Sequence, residues 1–144
     1  MLDTQRKTLK LNATATVKAF VAAINQGDTD RLSELMTEDH TFIDSGGTVE
    51  SGRSKMTKGW AEYFQMFPDY RLEVDCMLQD GNLVAAFGKA IGTYNGNRGL
   101  VPANRIEMPA AWKAIVENGK IKFWQVYADW SEGGRIIEED EQYG

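Results

Sequence analysis

Apolar residues in the first quarter of the chain recur at helical spacing and predict two helices. The first is predicted over residues 13–26 and ends at Gly27, a residue type that commonly terminates helices. Asp28 is a suitable N-cap for a second, short helix that runs through Met36. The apolar face of the first helix carries Val17, Phe20, Val21 and Ile24.

The pattern then changes to the alternation of a strand. Side chains of a strand point to opposite faces in turn, so a strand over residues 39–44 places His40, Phe42 and Asp44 on one side. A glycine-containing turn follows and leads into a short partner strand at residues 48–50. The first strand therefore carries two ionisable side chains and one aromatic ring on the same face.

A third helix with many aromatic residues follows the partner strand. Ser51 or Ser54 is expected to cap its start, and Pro68 is expected to end it. The apolar residues at helical spacing on it are Met56, Trp60, Phe64 and Phe67, with Tyr63 beside them.

The rest of the chain alternates over four longer segments and predicts a meander of strands. The segments are residues 70–79, 83–94, 105–117 and 120–130. Asn118-Gly119, between the last two, is a strong hairpin signal. The glycine- and proline-containing segment 95–104 is expected to form a loop at the rim of a pocket. Helices followed by a meander predict an α+β fold in which helices cover one face of a curved antiparallel sheet.

The two final strands predict an inner face and an outer face for this sheet. On the strand at 105–117 one face carries Met108, Ala110, Trp112, Ala114 and Val116. The last strand has bulky residues on both faces, at Phe123-Trp124 and at Tyr127. A sheet that is apolar on both faces favours a homodimer in which a partner subunit covers the outer face.

Composition narrows the classes of function. A chain of 144 residues with a net charge of −5 fits one globular domain. Residues 132–144 carry −4 of that charge and are expected to form a solvated, frayed acidic tail. The near-neutral remainder has no basic stripe, so nucleic acid is not an expected partner.

Cysteine and histidine usage limits the chemistry further. Cys76 is the only cysteine, so no internal disulfide is expected. His40 is the only histidine and there is no second thiol, so no metal site is expected either. The glycines lack the spacing of a phosphate-binding loop, so no bound cofactor is predicted. The chain shows no apolar signal segment and no run of membrane-spanning length. We therefore expect a cytoplasmic protein with no membrane partner.

Asp44 is the first candidate for chemistry. A carboxylate beside an aromatic helix is costly to bury unless it is used, and an apolar pocket suits a general base. The alternative is that Asp44 caps the turn at residues 45–47 through backbone amides. His40 is a candidate polar group of the same pocket, but it lies about 13 Å from Asp44 along the strand, too far for a direct hydrogen bond. Asp129 is a third candidate, although alternation places it opposite Trp124.

Three stretches of the chain together resemble the NTF2-like superfamily, which contains ketosteroid isomerases, SnoaL-type polyketide cyclases and limonene epoxide hydrolases. They are FVAAINQGDTDRLSELMTEDHTFID, GGTVESGRSKMTKGWAEYF and PAAWKAIVENGKIKFWQVYAD. The resemblance covers one domain over residues 12–131, preceded by an extension at 1–11 and followed by the tail at 132–144. It implies an NTF2-like (cystatin-like) cone, in which three N-terminal helices pack on a strongly curved, mostly antiparallel sheet. It also implies a homodimer and an apolar pocket between the helices and the concave face of the sheet.

The catalytic residues of these families are only partly matched. The resemblance to ketosteroid isomerases implies a general base at Asp44, but Phe20 and Met108 stand where those enzymes carry their oxyanion donors. The epoxide hydrolases imply a carboxylate at Asp129, with Gly88 and Ala90 where their arginine and second aspartate are expected. The cyclases carry an acid on the penultimate strand, where this chain has Met108 and Trp112.

Three functions remain open from the sequence. The first is a small apolar molecule bound in the pocket and converted by cofactor-free proton transfer, as in an isomerase, a cyclase or a lyase. Asp44 is then the base, and His40, Tyr63 or an indole N–H holds the developing oxyanion. The second is a carrier or sensor without chemistry, and the third is a protein-association module. The expected pocket residues are Phe20, Phe42, Trp60, Tyr63, Phe64, Phe67, Met108, Trp112 and Trp124.

Overall fold

The computed structural model describes the backbone of residues 2–143 and the side chains of residues 13–143. Within residues 2–143, four α-helices and six strands follow one another, with one short 3₁₀ turn before the fifth strand. The helices are α1 (Leu2–Gln26), α2 (Thr29–Glu34), α3 (Arg53–Met66) and α4 (Ser131–Glu141). The strands are β1 (Met36–Ile43), β2 (Val49–Ser51), β3 (Arg71–Asp80), β4 (Leu83–Thr93), β5 (Arg105–Glu117) and β6 (Lys120–Ala128).

The six strands form one open sheet in the order β2-β1-β6-β5-β4-β3. Only the β1–β6 pair is parallel; the other neighbours are antiparallel. The register shifts once in each of the pairs β1–β6, β3–β4 and β5–β6, and such irregularities bend strands. The α+β class and the curved sheet predicted from the sequence are confirmed.

The buried core lies between the helices and the concave face of the sheet. Inward residues of β5 alternate as expected, with Ala110, Trp112, Ala114 and Val116 buried. Phe20 and Ile24 of α1 are fully buried in the same cluster, as are Leu32 of α2 and Trp124 of β6. Asp28 caps α2 as predicted, because its side chain accepts from the Arg31 amide 3.0 Å away.

Two expectations about the helices are corrected. The structure has four helices rather than three: α1 and α2 precede β1, α3 follows β2 as its position in the sequence predicted, and α4 lies after the last strand. Neither Ser51 nor Ser54 caps α3: Gly52 occupies the N-cap with φ 105°, a conformation that favours glycine, and no side-chain hydrogen bond is made there.

The expected frayed tail is instead helix α4. The many acidic residues of this segment led to the prediction of a solvated tail. One face of the helix nevertheless points into the protein, and Gly133, Ile136 and Asp140 are buried on it. Ile136 packs with Phe67 and Ile106 in a second apolar cluster. At the other end of the chain, residues 2–11 of the expected extension at 1–11 belong to the backbone of α1, and the side chains of that extension lie outside the described residues.

Among the described residues, none of the helices is both long enough and apolar enough to cross a membrane. The longest, α1, spans 25 residues. It packs against the sheet and is hydrogen-bonded to β3 through Asn25. The Asn25 side chain accepts a hydrogen bond from the Leu72 amide at 2.7 Å and donates one to the Leu72 carbonyl at 3.0 Å. These bonds hold the end of α1 on the edge strand of the sheet.

Candidate functional site

A cavity of about 600 Å³ lies between α3 and the concave face of the sheet. Met56, Trp60 and Tyr63 form its wall on the helix side. Met108 of β5 and Trp124 of β6 face it from the sheet. This volume is typical of small-molecule sites, and a wall of aromatic and aliphatic side chains favours an apolar occupant.

Most of the residues expected in the pocket line this cavity. They are Phe42, Asp44, Trp60, Tyr63, Phe67, Met108, Trp112 and Trp124. Phe20, His40, Phe64 and Asp129 do not line it. Phe20 and Phe64 are packed against lining residues instead: Phe20 lies 4.9 Å from Trp124 and Phe64 stacks on Trp60 at 5.6 Å, measured between ring centroids.

The lining residues that sequence reasoning missed include three large side chains, those of Tyr70, Ile106 and Trp130. Tyr70 lies just before β3 and Ile106 is the second residue of β5, so neither has enough alternating neighbours on its N-terminal side to assign a face. Trp130 lies just before α4, the helix that the acidic composition concealed. The loop at 95–104, expected at the rim, contributes no described residue to the cavity wall.

Asp44 lines the cavity and also stabilises the turn after β1. Its Oδ1 accepts hydrogen bonds from the Gly46 and Thr48 amides, both at 2.9 Å. No described residue donates to Oδ2. One oxygen of the carboxylate is thus held by the backbone, as in the turn-capping alternative, while the other is free to act on a bound molecule.

His40 is fully buried and is a structural group of the core. Its Nδ1 lies 2.7 Å from the Ile121 carbonyl, which only accepts, so the proton is on Nδ1. Burial lowers the pKa of His40, which keeps the ring neutral. Nε2 is then an acceptor with no described partner. In this form Nε2 carries no proton to donate, and His40 does not line the cavity.

Asp129 lies outside the cavity at the start of α4. Its exposed carboxylate accepts from the Ser131 amide at 3.0 Å and from the Ser131 hydroxyl at 2.7 Å. These bonds hold the pKa of Asp129 below its ordinary value. Asp129 therefore bonds the first residue of α4 from a position one residue before the N-cap Trp130, and it does not line the cavity.

Charged side chains gather at the open side of the cavity. Glu50 and Lys55 form an ion pair there, and Lys58 and Glu62 lie on the same rim. Such exposed pairs contribute little to stability because water screens them. Polar groups deeper in the wall are few: the Trp60 indole N–H, which has no described partner, and the phenols of Tyr63 and Tyr70.

Trp130, the N-cap residue of α4, lines the cavity next to Phe67. Trp130, at the start of α4, contacts Phe67 with ring centroids 6.1 Å apart. The far end of α4 is held by Asp140, whose buried carboxylate accepts from the Asn97 amide at 2.6 Å, the Arg98 amide at 2.8 Å and the Asn104 side chain at 2.9 Å. The loop at 95–104 therefore anchors α4.

The chain matches one protein-family model, and its fold matches those of several solved structures. A model of the SnoaL-like domain matches residues 17–124. A candidate SnoaL-like polyketide cyclase from Jannaschia sp. CCS1 superposes with a TM-score of 0.77 at 18% identity, over 90% of this chain and 93% of that one. An LEH-like epoxide hydrolase of M. tuberculosis gives 0.75 at 15% identity, over 92% and 94%.

A third solved structure is more similar in sequence. IdmH, a candidate polyketide cyclase from Streptomyces antibioticus, superposes with a TM-score of 0.72 at 25% identity, over 88% of this chain and 98% of that one. The sequence has no significant match among functionally curated proteins. The similarity therefore establishes the fold over nearly the whole chain and leaves the reaction to be argued from the cavity.

Proposed function

The chain belongs to the SnoaL-like domain family, and on that premise we propose that it binds a small, largely apolar molecule in the cavity and transfers a proton on it with Asp44 as base. The observation that carries the binding proposal is the 600 Å³ aromatic cavity. Solved structures of the same fold described as polyketide cyclases and as an epoxide hydrolase support a role in small-molecule chemistry.

The proposed reaction is a cofactor-free isomerisation, cyclisation or elimination. Asp44 Oδ2 takes a proton from a carbon next to a carbonyl, and the electron pair left on that carbon becomes an enolate. A hydrogen-bond donor of the wall holds the enolate oxygen, for which the Trp60 indole N–H and the Tyr63 phenol are available. In an isomerisation the carboxylic acid returns the proton to the same or another carbon, which regenerates Asp44. In a cyclisation the enolate carbon attacks a second carbonyl of the same molecule, and the alkoxide that forms takes the proton. In an elimination the enolate expels a leaving group from the next carbon, and the leaving group takes the proton.

Replacing Asp44 with asparagine tests the base. The asparagine side chain keeps an oxygen that can accept from the Gly46 and Thr48 amides, so the turn is retained, but it cannot take a proton. We expect hydrogen–deuterium exchange at C1 of 2-tetralone in D₂O, followed by ¹H NMR, to slow by at least about 100-fold in Asp44→Asn. The matched control is Asp129→Asn, which changes a carboxylate outside the cavity and should exchange at the wild-type rate.

The same experiment separates the enzyme from a carrier. The hydrogen bonds that occupy Asp44 Oδ1 favour the carrier or sensor as the second candidate function. If wild-type protein binds 2-tetralone saturably without accelerating exchange, or if Asp44→Asn exchanges as fast as wild type, Asp44 is not the base. The cavity then serves binding alone.

The outer face of the sheet supports the proposed homodimer. Neighbouring strands align Phe87 with Ala111 and Tyr127, and Leu83 with Ile115 and Phe123. Several large apolar side chains are left exposed on β3, β4 and β6: Leu78 by 62%, Leu83 by 37%, Phe87 by 44% and Tyr127 by 51%. Apolar rows of this kind on a sheet face are typical of an interface.

Phe87→Asp is expected to disrupt that homodimer. Placing a carboxylate in an apolar interface loses the burial of the ring and adds the cost of an unpaired charge. We expect the dimer dissociation constant, measured by analytical ultracentrifugation, to rise at least about 100-fold. Leu100→Asp, which changes a residue with 58% exposure on the 95–104 loop, should leave it unchanged. A wild-type protein that sediments as a monomer at all concentrations would rule out the interface.

A further inference from the structure

Trp130 lines the cavity next to the C-terminal end of α3. Its ring lies 6.1 Å from that of Phe67, the C-cap residue of α3, measured between centroids. Phe42, which lies on β1 close to Asp44, instead contacts Trp60 of α3 with centroids 6.5 Å apart. Trp60 and Phe67 are seven residues apart in the sequence, which is about 10 Å along a helix axis. The proposed base and Trp130 therefore lie toward opposite ends of the cavity.

The cavity wall becomes less charged toward Trp130. The described charged residues that line the cavity all precede Tyr63 in the sequence, on the turn after β1, on β2 and on α3. Trp130 packs instead on the apolar cluster of Phe67, Ile106 and Ile136. A ligand that matches this wall places its polar groups near the charged residues and an apolar end against Trp130.

Helix α4 fixes the backbone from which the Trp130 side chain extends. Trp130 is the N-cap residue of α4, and its carbonyl accepts a hydrogen bond from the Gly134 amide at 2.9 Å. The residue that follows, Ser131, is bonded to Asp129 through both its amide and its hydroxyl. Ile136 is 5% exposed and holds the same helix against the apolar cluster. These contacts determine where the indole enters the cavity wall.

The lack of a side chain at Gly133 determines how far the indole reaches. Gly133 is buried, and a Cβ at this position would overlap Cε3 and Cζ3 of Trp130. The indole therefore lies directly against α4 at Gly133. A Cβ at the adjacent Gly134 would meet no described atom within 4 Å. A side chain at position 133, but not at 134, would push the ring off the helix and toward Phe67 and the cavity.

We propose that Trp130 limits the length of the ligand that the cavity accepts, that Gly133 is the positioning residue that holds the indole back on α4, and that the ligand is an elongated molecule with an apolar end directed at Trp130. This rests on the proposed function, because it assigns the substrate class of the same cavity. With the reacting carbon at Asp44, Trp130 limits the apolar part of the molecule beyond that carbon. The SnoaL-like domain match ends at residue 124, so both residues lie beyond it.

A series of 2-alkylfluorenes tests the length limit. Fluorene is a flat tricyclic hydrocarbon, and alkyl chains from methyl to hexyl lengthen it without adding a polar group. In wild-type protein the affinity, measured by fluorescence titration, should rise about fourfold with each methylene and then level off, because further methylenes remain in water. Trp130→Ala should level off about three methylenes later, since the space of the indole becomes available. Trp130→Leu, which keeps an apolar side chain, should level off in between.

Matched variants on α4 separate this role from a general loosening of the helix. Ile137 packs on the same apolar cluster as Trp130 but does not line the cavity, so Ile137→Ala should level off at the wild-type chain length. Gly133→Ala should level off at a shorter chain, and Gly134→Ala should behave as wild type. In a Trp130→Ala protein, Gly133→Ala should have no effect, because no ring is left to displace.

The outcomes distinguish this inference from the proposed function. If wild type and Trp130→Ala level off at the same chain length, or if wild type does not level off, Trp130 does not limit the ligand and the binding proposal still stands. If Gly133→Ala behaves as Gly134→Ala does, or acts equally without the indole, Gly133 does not position it. If wild type binds neither fluorene nor any member of the series, the proposed function fails and this inference fails with it.

Discussion

We expect Asp140→Ala to release α4 and to produce the largest loss of stability of any single carboxylate substitution in the described chain. The variant leaves the amides of Asn97 and Arg98 and the side chain of Asn104 without their shared acceptor, in a position that is 1% exposed. Buried donors that lose an acceptor destabilise strongly. We expect the melting temperature at pH 7 to fall by about 10 °C. Amide hydrogen exchange in α4 and in the loop at 95–104 should accelerate at least about tenfold.

The pH dependence of this difference follows from the native charge of Asp140. Burial opposes ionisation, but hydrogen bonds from Asn104 and from the Arg98 and Asn97 amides outweigh it and hold the pKa of Asp140 below its ordinary value of 3.8. The stabilisation is therefore complete well above pH 3.8 and is lost as the pH falls through the native pKa. Wild type and Asp140→Ala should converge in acid.

Glu138→Ala provides the control, since Glu138 is an exposed carboxylate on the same helix. It should leave both the melting temperature and the exchange rates nearly unchanged. If Asp140→Ala behaves like Glu138→Ala, the buried carboxylate does not anchor α4. If it melts early but α4 exchanges no faster, the damage lies elsewhere in the fold.

We expect Ala90→Trp to abolish ligand binding by filling the cavity. Ala90 lines the cavity from β4, is 6% exposed and pairs with Met108 across the sheet. An indole at this position occupies space in the 600 Å³ that the ligand needs. The affinity for fluorene, measured by quenching of tryptophan fluorescence, should fall at least about 100-fold, which corresponds to about 2.7 kcal/mol. Crowding a packed wall also costs about 1–3 kcal/mol of stability, so folding must be checked by circular dichroism.

Ala22→Trp is the matched substitution on the surface. Ala22 is exposed on α1 and does not line the cavity, so this variant adds an indole without filling space that the ligand uses. It should bind fluorene as wild type does. Unchanged binding by a folded Ala90→Trp protein would mean that the ligand occupies some other surface of the molecule.

The fold was predictable because its strands obey strict local rules. On β5 the alternation of inward and outward residues matches the observed burial, and the strand bounds of residues 105–117 agree with the structure. Asn118 and Gly119 both adopt positive φ at the turn that joins β5 to β6, as the hairpin signal requires. The fourth helix was missed because α4 has two adjacent glycines and many acidic residues, and only its inward face shows why it folds.

The site was predictable only in part. The roles of its polar side chains depend on contacts with residues that are distant in the sequence, and local sequence patterns do not show these contacts. The aromatic wall followed from periodicity: Trp60 and Trp112 lie where their spacing indicated. The state of His40 depends on the Ile121 carbonyl, which is 81 residues away in the chain. Tyr70 joins the site through its contact with Tyr63, and no local pattern predicts such a pair.

The central claim is that a ligand occupies the space between α3 and the sheet, and the positions of the methionines allow a direct test. Met56 and Met108 line the cavity from opposite sides, whereas Met66 is 41% exposed and Met77 lines a separate groove beside α1. With protein labelled at the methionine methyl carbons, we expect nuclear Overhauser effects from bound fluorene to Met56 and Met108 and none to Met66 or Met77. Effects confined to Met77 or Met66, or saturable binding without any contact to Met56 and Met108, would contradict the account.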